Sequence, residues 1–93
     1  MKYEIVFSKA AEKDISSLAS ATRLDMLVTV KKELEANPYP HGKTRVKRLQ
    51  GFHFTVFRLR IGDWRVIYHI DGSVIIVLRI VLRKELDRAL FRL

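Results

Sequence analysis

The sequence predicts an α+β fold: an N-terminal strand, a helical hairpin, a four-stranded antiparallel meander forming a curved sheet, and a short C-terminal helix. Two observations carry this reading. The apolar pattern has helical spacing from Ser8 up to the proline-containing stretch NPYPHGK, residues 37–43, and alternates with a period of two from Thr44 onward. Gly51, Gly62-Asp63 and Asp71-Gly72 then punctuate the alternating half at intervals too short for parallel crossovers. With 93 residues, 48% of them hydrophobic, the chain suits one modest core, so residues 1–93 are read as a single domain.

Residues 3–7, YEIVF, alternate like a short strand and precede Ser8, a good helix N-cap. A first helix is expected to run to about Leu18, with Ala11, Ile15 and Leu18 on its inner stripe and Glu12, Lys13 and Asp14 pointing away. Thr22-x-x-Asp25 reads as a weak capping box opening a second helix, whose Leu24, Leu27, Val28 and Leu34 are assigned to the core. That helix has to end near Ala36, because two prolines and a glycine follow within seven residues. TRVKRL, FTVFRLRI, WRVIYHI and SVIIVLRIVL are the four strands of the meander. The last eleven residues, RKELDRALFRL, read as a helix with Leu82, Leu86, Leu90 and Leu93 along one face. A sheet covered on one side by the helical hairpin leaves its opposite face open for function.

Charge suggests what that face meets. There are 18 Lys and Arg against 10 Asp and Glu, a net charge of +8 and a pI near 10.2, which attracts polyanions. If Phe57, Leu59 and Ile61 face the helices, alternation turns Arg58 and Arg60 to the other side. In the next strand Trp64, Val66, Tyr68 and Ile70 share the core face, leaving Arg65, Ile67 and His69 opposite. Arg79, Val81 and Arg83 have one parity, and Arg45, Lys47 and Arg48 lie on or near the preceding strand. A merely solvated face predicts charges of mixed sign. From Lys43 to Arg83 the only acids are Asp63 and Asp71, both in turns, so the expectation is an anion-binding surface. Arginine suits it, because its planar fork donates two hydrogen bonds to one phosphate and stacks on bases.

Other chemistries find little support. Without cysteine there are no disulfides, thiolate nucleophiles or thiolate zinc sites. His41, His53 and His69 lack metal-cluster spacing, so neither metal nor cofactor is expected; His69 shares the parity of Arg65 and is an acid–base candidate. No signal-peptide pattern opens the chain, and its longest apolar run, residues 74–82, is interrupted by Arg79 and too short to span a bilayer. A cytoplasmic protein with no membrane partner is the expectation.

KRLQGFHFTVFRLRIGDWRVIYHIDG, residues 47–72, resembles the diagnostic centre of the RelE/ParE toxin superfamily: a lysine-rich strand, L-x-G, a strand ending in R-x-R-x-G-D-Y-R-V-I-Y, and a hairpin. The preceding helical hairpin and the following strand and tail agree in order and length. The resemblance implies a RelE-like microbial RNase fold and the toxin half of a type II toxin-antitoxin system, held inactive by an acidic RelB-like antitoxin. In the RelE branch it implies ribosome-dependent mRNA cleavage without a metal, the ribose 2′-hydroxyl attacking the adjacent phosphate. Carried over by position, Arg65 matches the phosphate-binding arginine of the motif and Arg83 the tail arginine, while Lys47 and Arg48 fall in the basic strand. Arg65, Arg83 and Lys47 are the catalytic candidates; Arg45, Arg48, Arg58, Arg60, Arg79 and Lys84 are the RNA-binding ones. The tail departs from the family pattern, with Asp87 where a tyrosine is often found. Alternatives that keep the scaffold are a ParE-like inhibitor of DNA gyrase and an inactive relative that only binds antitoxin.

Overall fold

Because β1 (Glu4–Phe7) and β2 (Val46–Leu49) occupy opposite edges of one sheet, the helices between them, α1 (Lys9–Ser16) and α2 (Ser20–Ala36), must cross its full width. The computed structural model, which describes residues 2–41 and 45–93, continues with β3 (Val56–Ile61), β4 (Trp64–Asp71), β5 (Val74–Leu82), a 3-10 turn (Arg83–Glu85) and α3 (Leu86–Phe91). Gly42, Lys43 and Thr44, which close the expected loop and open the expected strand, lie outside the described residues. The sheet order is β1-β5-β4-β3-β2. The four strands from β2 to β5 form the expected antiparallel meander, and β1 makes the sheet mixed by pairing parallel to β5.

Two tight turns set the register. Ile61 pairs with Trp64 across Gly62-Asp63, and Asp71 with Val74 across Gly72-Ser73. Each turn has a positive φ only at its glycine, +57° at Gly62 and +60° at Gly72, the pattern of a II′ turn whose twist matches the flanking strands. With this register Phe57, Leu59, Val66 and Tyr68 meet Met26, Val30 and Leu34 of α2 in the main core. Sealing such side chains from water stabilises the fold by about 1.5–3 kcal/mol each. Tyr68 is fully buried; its ring stacks on Phe57 at 5.6 Å and its hydroxyl donates to the Pro38 carbonyl at 2.6 Å. Burial also pushes its phenol well above the ordinary tyrosine range.

β1 spans four residues and β5 nine, so β1 leaves the second half of β5 with an unpaired edge. Side chains of α1 complete it. Ser8 Oγ caps the helix by accepting from the Ala11 N–H at 3.1 Å and donates to the Leu78 carbonyl at 2.9 Å. Asp14 Oδ2 accepts the Ile80 N–H at 2.8 Å, and its two oxygens hold Arg79 Nε and Nη2 at 2.8 and 3.1 Å. The expectation that Asp14 points away from the sheet is therefore corrected: the carboxylate supplies the acceptor that β1 is too short to supply.

Three further expectations change. α1 stops at Ser16, short of Leu18, although Leu18 is buried as assigned. α2 opens at Ser20 with no side-chain cap, so the Thr22–Asp25 box does not start it. Its buried stripe is Met26, Val30 and Leu34; Leu24 and Val28 lie on the far side, 63% and 57% exposed, because residues two positions apart in a helix diverge by about 200°. α2 is apolar on both sides, and periodicity alone did not choose between them.

The second face of the sheet is not wholly open. Leu86, Ala89 and Leu90 of α3 pack there on Val56, Ile67 and Val81. Leu93 is exposed rather than part of that stripe. Replacing Asp14 with Ala orphans the Ile80 N–H and frees Arg79, which should cost about 2 kcal/mol in urea denaturation. Leu24→Ala should change the same measurement by no more than about 0.5 kcal/mol, as befits a surface residue.

Candidate functional site

The uncovered part of the second face is built from arginines. On β3, Arg58 and Arg60 alternate with core residues, so their side chains leave on the side opposite α2. Arg60 pairs with Arg65 of β4, and Lys47 of β2 pairs with Arg58. Arg83 joins them from the end of β5, where its N–H donates to the Asp63 carbonyl at 2.9 Å. The crowding is electrostatically felt: partial burial, then Arg65, Arg60 and Arg83 in that order, pull the Arg58 guanidinium below the ordinary arginine value. Among the described residues no carboxylate forms an ion pair with any of these five cations. Cations held together without an acid are a ready site for a multiply charged anion.

Arg65 is the rigid member. It is only 7% exposed, and its Nη1 donates to the carbonyls of Gly62 at 3.0 Å and Trp64 at 2.8 Å. The expectation of a freely exposed side chain is corrected: the turn that sets the strand register also clamps this guanidinium. Clamping removes the rotamer entropy that a free arginine would lose on meeting its ligand.

Three of the expected RNA-binding cations fall elsewhere, and a fourth is exposed next to Arg83. Arg79 turns to Asp14 at the β5 edge. Arg45 pairs with Glu33 of α2 at 3.2 Å, on the helical side. Arg48 stands opposite Phe57, on the face of the main core. Lys84 is exposed in the 3-10 turn beside Arg83. The expected single surface therefore reduces to Lys47, Arg58, Arg60, Arg65 and Arg83.

His69 shares the second face, but four residues along β4 from Arg65, about 13 Å away at strand rise. Its Nδ1 lies 2.7 Å from the Thr55 carbonyl, which can only accept, so Nδ1 carries the proton there. The edge of Phe54 closes on its ring at 5.2 Å. Asp87 is exposed in the first turn of α3, and its carboxylate has no ion pair among the described residues. Among the described residues no three His, Cys, Asp or Glu side chains group as metal ligands, and no helix is long and apolar enough to cross a membrane.

A family model described as "ParE toxin of type II toxin-antitoxin system, parDE" matches residues 5–86. The chain belongs to the RelE/ParE toxin superfamily. The toxin is 24% identical over 83 residues to Toxin RelE3 of Methanocaldococcus jannaschii, covering 89% of this chain and 93% of that protein. Toxin RelE in the archaeal RelE-RelB complex of Pyrococcus horikoshii OT3 is 32% identical, with a TM-score of 0.70 over 89% of this chain and 97% of the other. The RelBE2 toxin-antitoxin complex of Mycobacterium tuberculosis shares the fold at 22% identity, with a TM-score of 0.76 over 89% of this chain and all of the other. The α+β fold expected from the sequence is that of these toxins.

What sequence reading missed in this toxin is the backbone half of the site. The Gly62 and Trp64 carbonyls hold the Arg65 guanidinium and the Asp63 carbonyl the Arg83 backbone, and carbonyls leave no residue-type signal. Two mutations separate scaffold from ligand contact. Arg65→Ala should lower stability by about 1–3 kcal/mol, since a buried, hydrogen-bonded side chain is lost. Arg60→Gln, which relieves like-charge repulsion on an exposed side chain, should raise the thermal midpoint while weakening polyanion binding.

Proposed function

We propose that the toxin is a ribosome-dependent mRNA endoribonuclease of the RelE type. One observation carries the reading: Arg58, Arg60, Arg65 and Arg83 converge without a neutralising carboxylate. Attack of a ribose 2′-hydroxyl on the adjacent phosphate passes through a dianionic phosphorane, and positive charge already fixed in place stabilises it most. Arg65, clamped by the turn, is the member with the least freedom to move, and the Arg83 backbone is fixed beside it through the Asp63 carbonyl. Lys47, beside Arg58, extends the positive field along the RNA backbone. The products would be a cyclic phosphate and a free 5′-hydroxyl. Residues 1–93 act as one unit in the cytoplasm, restrained by an acidic RelB-like antitoxin; the similar RelE of Pyrococcus horikoshii is in complex with RelB.

The family model's own description, a ParE toxin, together with Asp87 at the usual tyrosine position, favours a second reading as a gyrase inhibitor that cuts nothing. Programmed ribosomes and a gyrase supercoiling reaction run side by side separate the two. The expected result is cleaved mRNA with cyclic phosphate ends and unchanged supercoiling. Arg83→Ala and Arg58→Ala should each slow cleavage on the order of a hundredfold. Asp87→Tyr should leave the rate unchanged, because Asp87 faces solvent away from the packed side of α3. Intact mRNA with lost supercoiling sinks the ribonuclease reading.

A further inference from the structure

On the far side of the Trp64-Arg65 step from the arginine cluster lies a cleft of about 340 Å³ between α1, the β5 edge and α3. Arg79, Arg88 and Arg92 line it together with Asp14, Glu85 and a wall formed by Trp64. Its charges are not evenly matched. Asp14 is committed to Arg79 and the Ile80 N–H, and Glu85 also acts on Arg79. Arg88 and Arg92 thus stand one helical turn apart with no ion pair among the described residues, both exposed. Phe91, between them in sequence, is 90% exposed, and no packing in this chain accounts for so open a ring. An exposed aromatic ring can stack on a base while nearby unpaired cations hold the strand's phosphates.

We propose that this cleft is a second RNA-binding site, in which Arg88 and Arg92 hold backbone phosphates, while Phe91, exposed on α3 outside the cleft lining, offers its ring to a base of the same strand. The proposal rests on the reading of the toxin as an RNA-binding protein and adds an anchor outside the cluster that acts on the scissile phosphate. RNA fits better than an acidic protein segment because the two basic sites are joined. Trp64 walls the cleft while Arg65, the next residue, belongs to the cluster, and Arg83 and Glu85 of one 3-10 turn face the two sites in turn. One strand crossing that turn meets both. Arg88 and Arg92 act by holding substrate, so they are expected to govern how tightly RNA is bound and not how fast the bond breaks.

The test measures binding of the full chain to a short single-stranded RNA made uncleavable by 2′-O-methylation, over a range of salt. Each phosphate contact on a single strand contributes roughly 0.7 to the slope of log affinity against log salt. Arg88→Gln with Arg92→Gln should therefore reduce that slope by about 1.4, with the thermal midpoint unmoved because both side chains are exposed. On programmed ribosomes the same variant should raise the half-saturating concentration and leave the maximal cleavage rate alone. Phe91→Ala should weaken binding without altering the slope, since stacking releases no counterions. A double variant with the wild-type slope overturns the proposal. A double variant that keeps the wild-type RNA slope yet loses affinity for polyglutamate marks the cleft as a protein contact instead. A wild-type chain that binds no RNA at all overturns the ribonuclease reading with it.

Discussion

The structure depends on one two-residue turn. Gly62-Asp63 pairs Ile61 with Trp64, and every side chain of β3 and β4 takes its face from that pairing. A slip of one residue would turn one strand over against the other, sending either Arg58 and Arg60 or Arg65 into the core under α2 and exposing Phe57 and Leu59 or Val66 and Tyr68 in their place. Burying a guanidinium in place of apolar side chains is far too costly, so the core and the basic site enforce the same register. The turn also contributes directly, since its carbonyls hold Arg65 and the backbone of Arg83.

Holding like charges together has a cost that the rest of the fold must offset. Partial burial and then that repulsion lower the proton affinity of Arg58, and no carboxylate relieves it among the described residues. What offsets it lies under and beside the cluster: the main core behind β3 and β4, and the smaller one in which Leu86, Ala89 and Leu90 of α3 meet Ile67 and Val81. This division, a strained charged surface on a rigid apolar support, is the usual trade of stability for function. It also places α3 at the boundary between the cluster and the cleft.

The edge of β5 shows the same economy of means. The strand outruns β1 by five residues, and an exposed edge of that length invites pairing with another chain. Ser8 and Asp14 take up the Leu78 carbonyl and the Ile80 N–H, so α1 serves as a continuation of the sheet made from side chains. Arg79 is drawn into that repair, which is why a cation of suitable parity is absent from the basic face.

Element order, the meander, the turn at Gly62-Asp63 and the facing of Arg58, Arg60 and Arg65 could all be read from the residues, while the second turn centres on Gly72-Ser73 rather than on the expected Asp71-Gly72, because Asp71 still pairs with Val74. Period-two alternation and turn chemistry are local properties, and a strand has only two faces to choose between. The superfamily could be read too, from the run between Lys47 and Gly72. Tertiary structure decided what local pattern leaves degenerate. α2 carries large apolar residues on a stripe wider than one buried face, so only packing against the sheet selected Met26, Val30 and Leu34 over Leu24 and Val28. Arg45 and Arg79 found acids twelve and sixty-five residues away in sequence, and Arg65 found carbonyls that no residue type announces. Charge attraction and hydrogen bonding act through space, so which cations remain free for a ligand is settled only once the chain has folded.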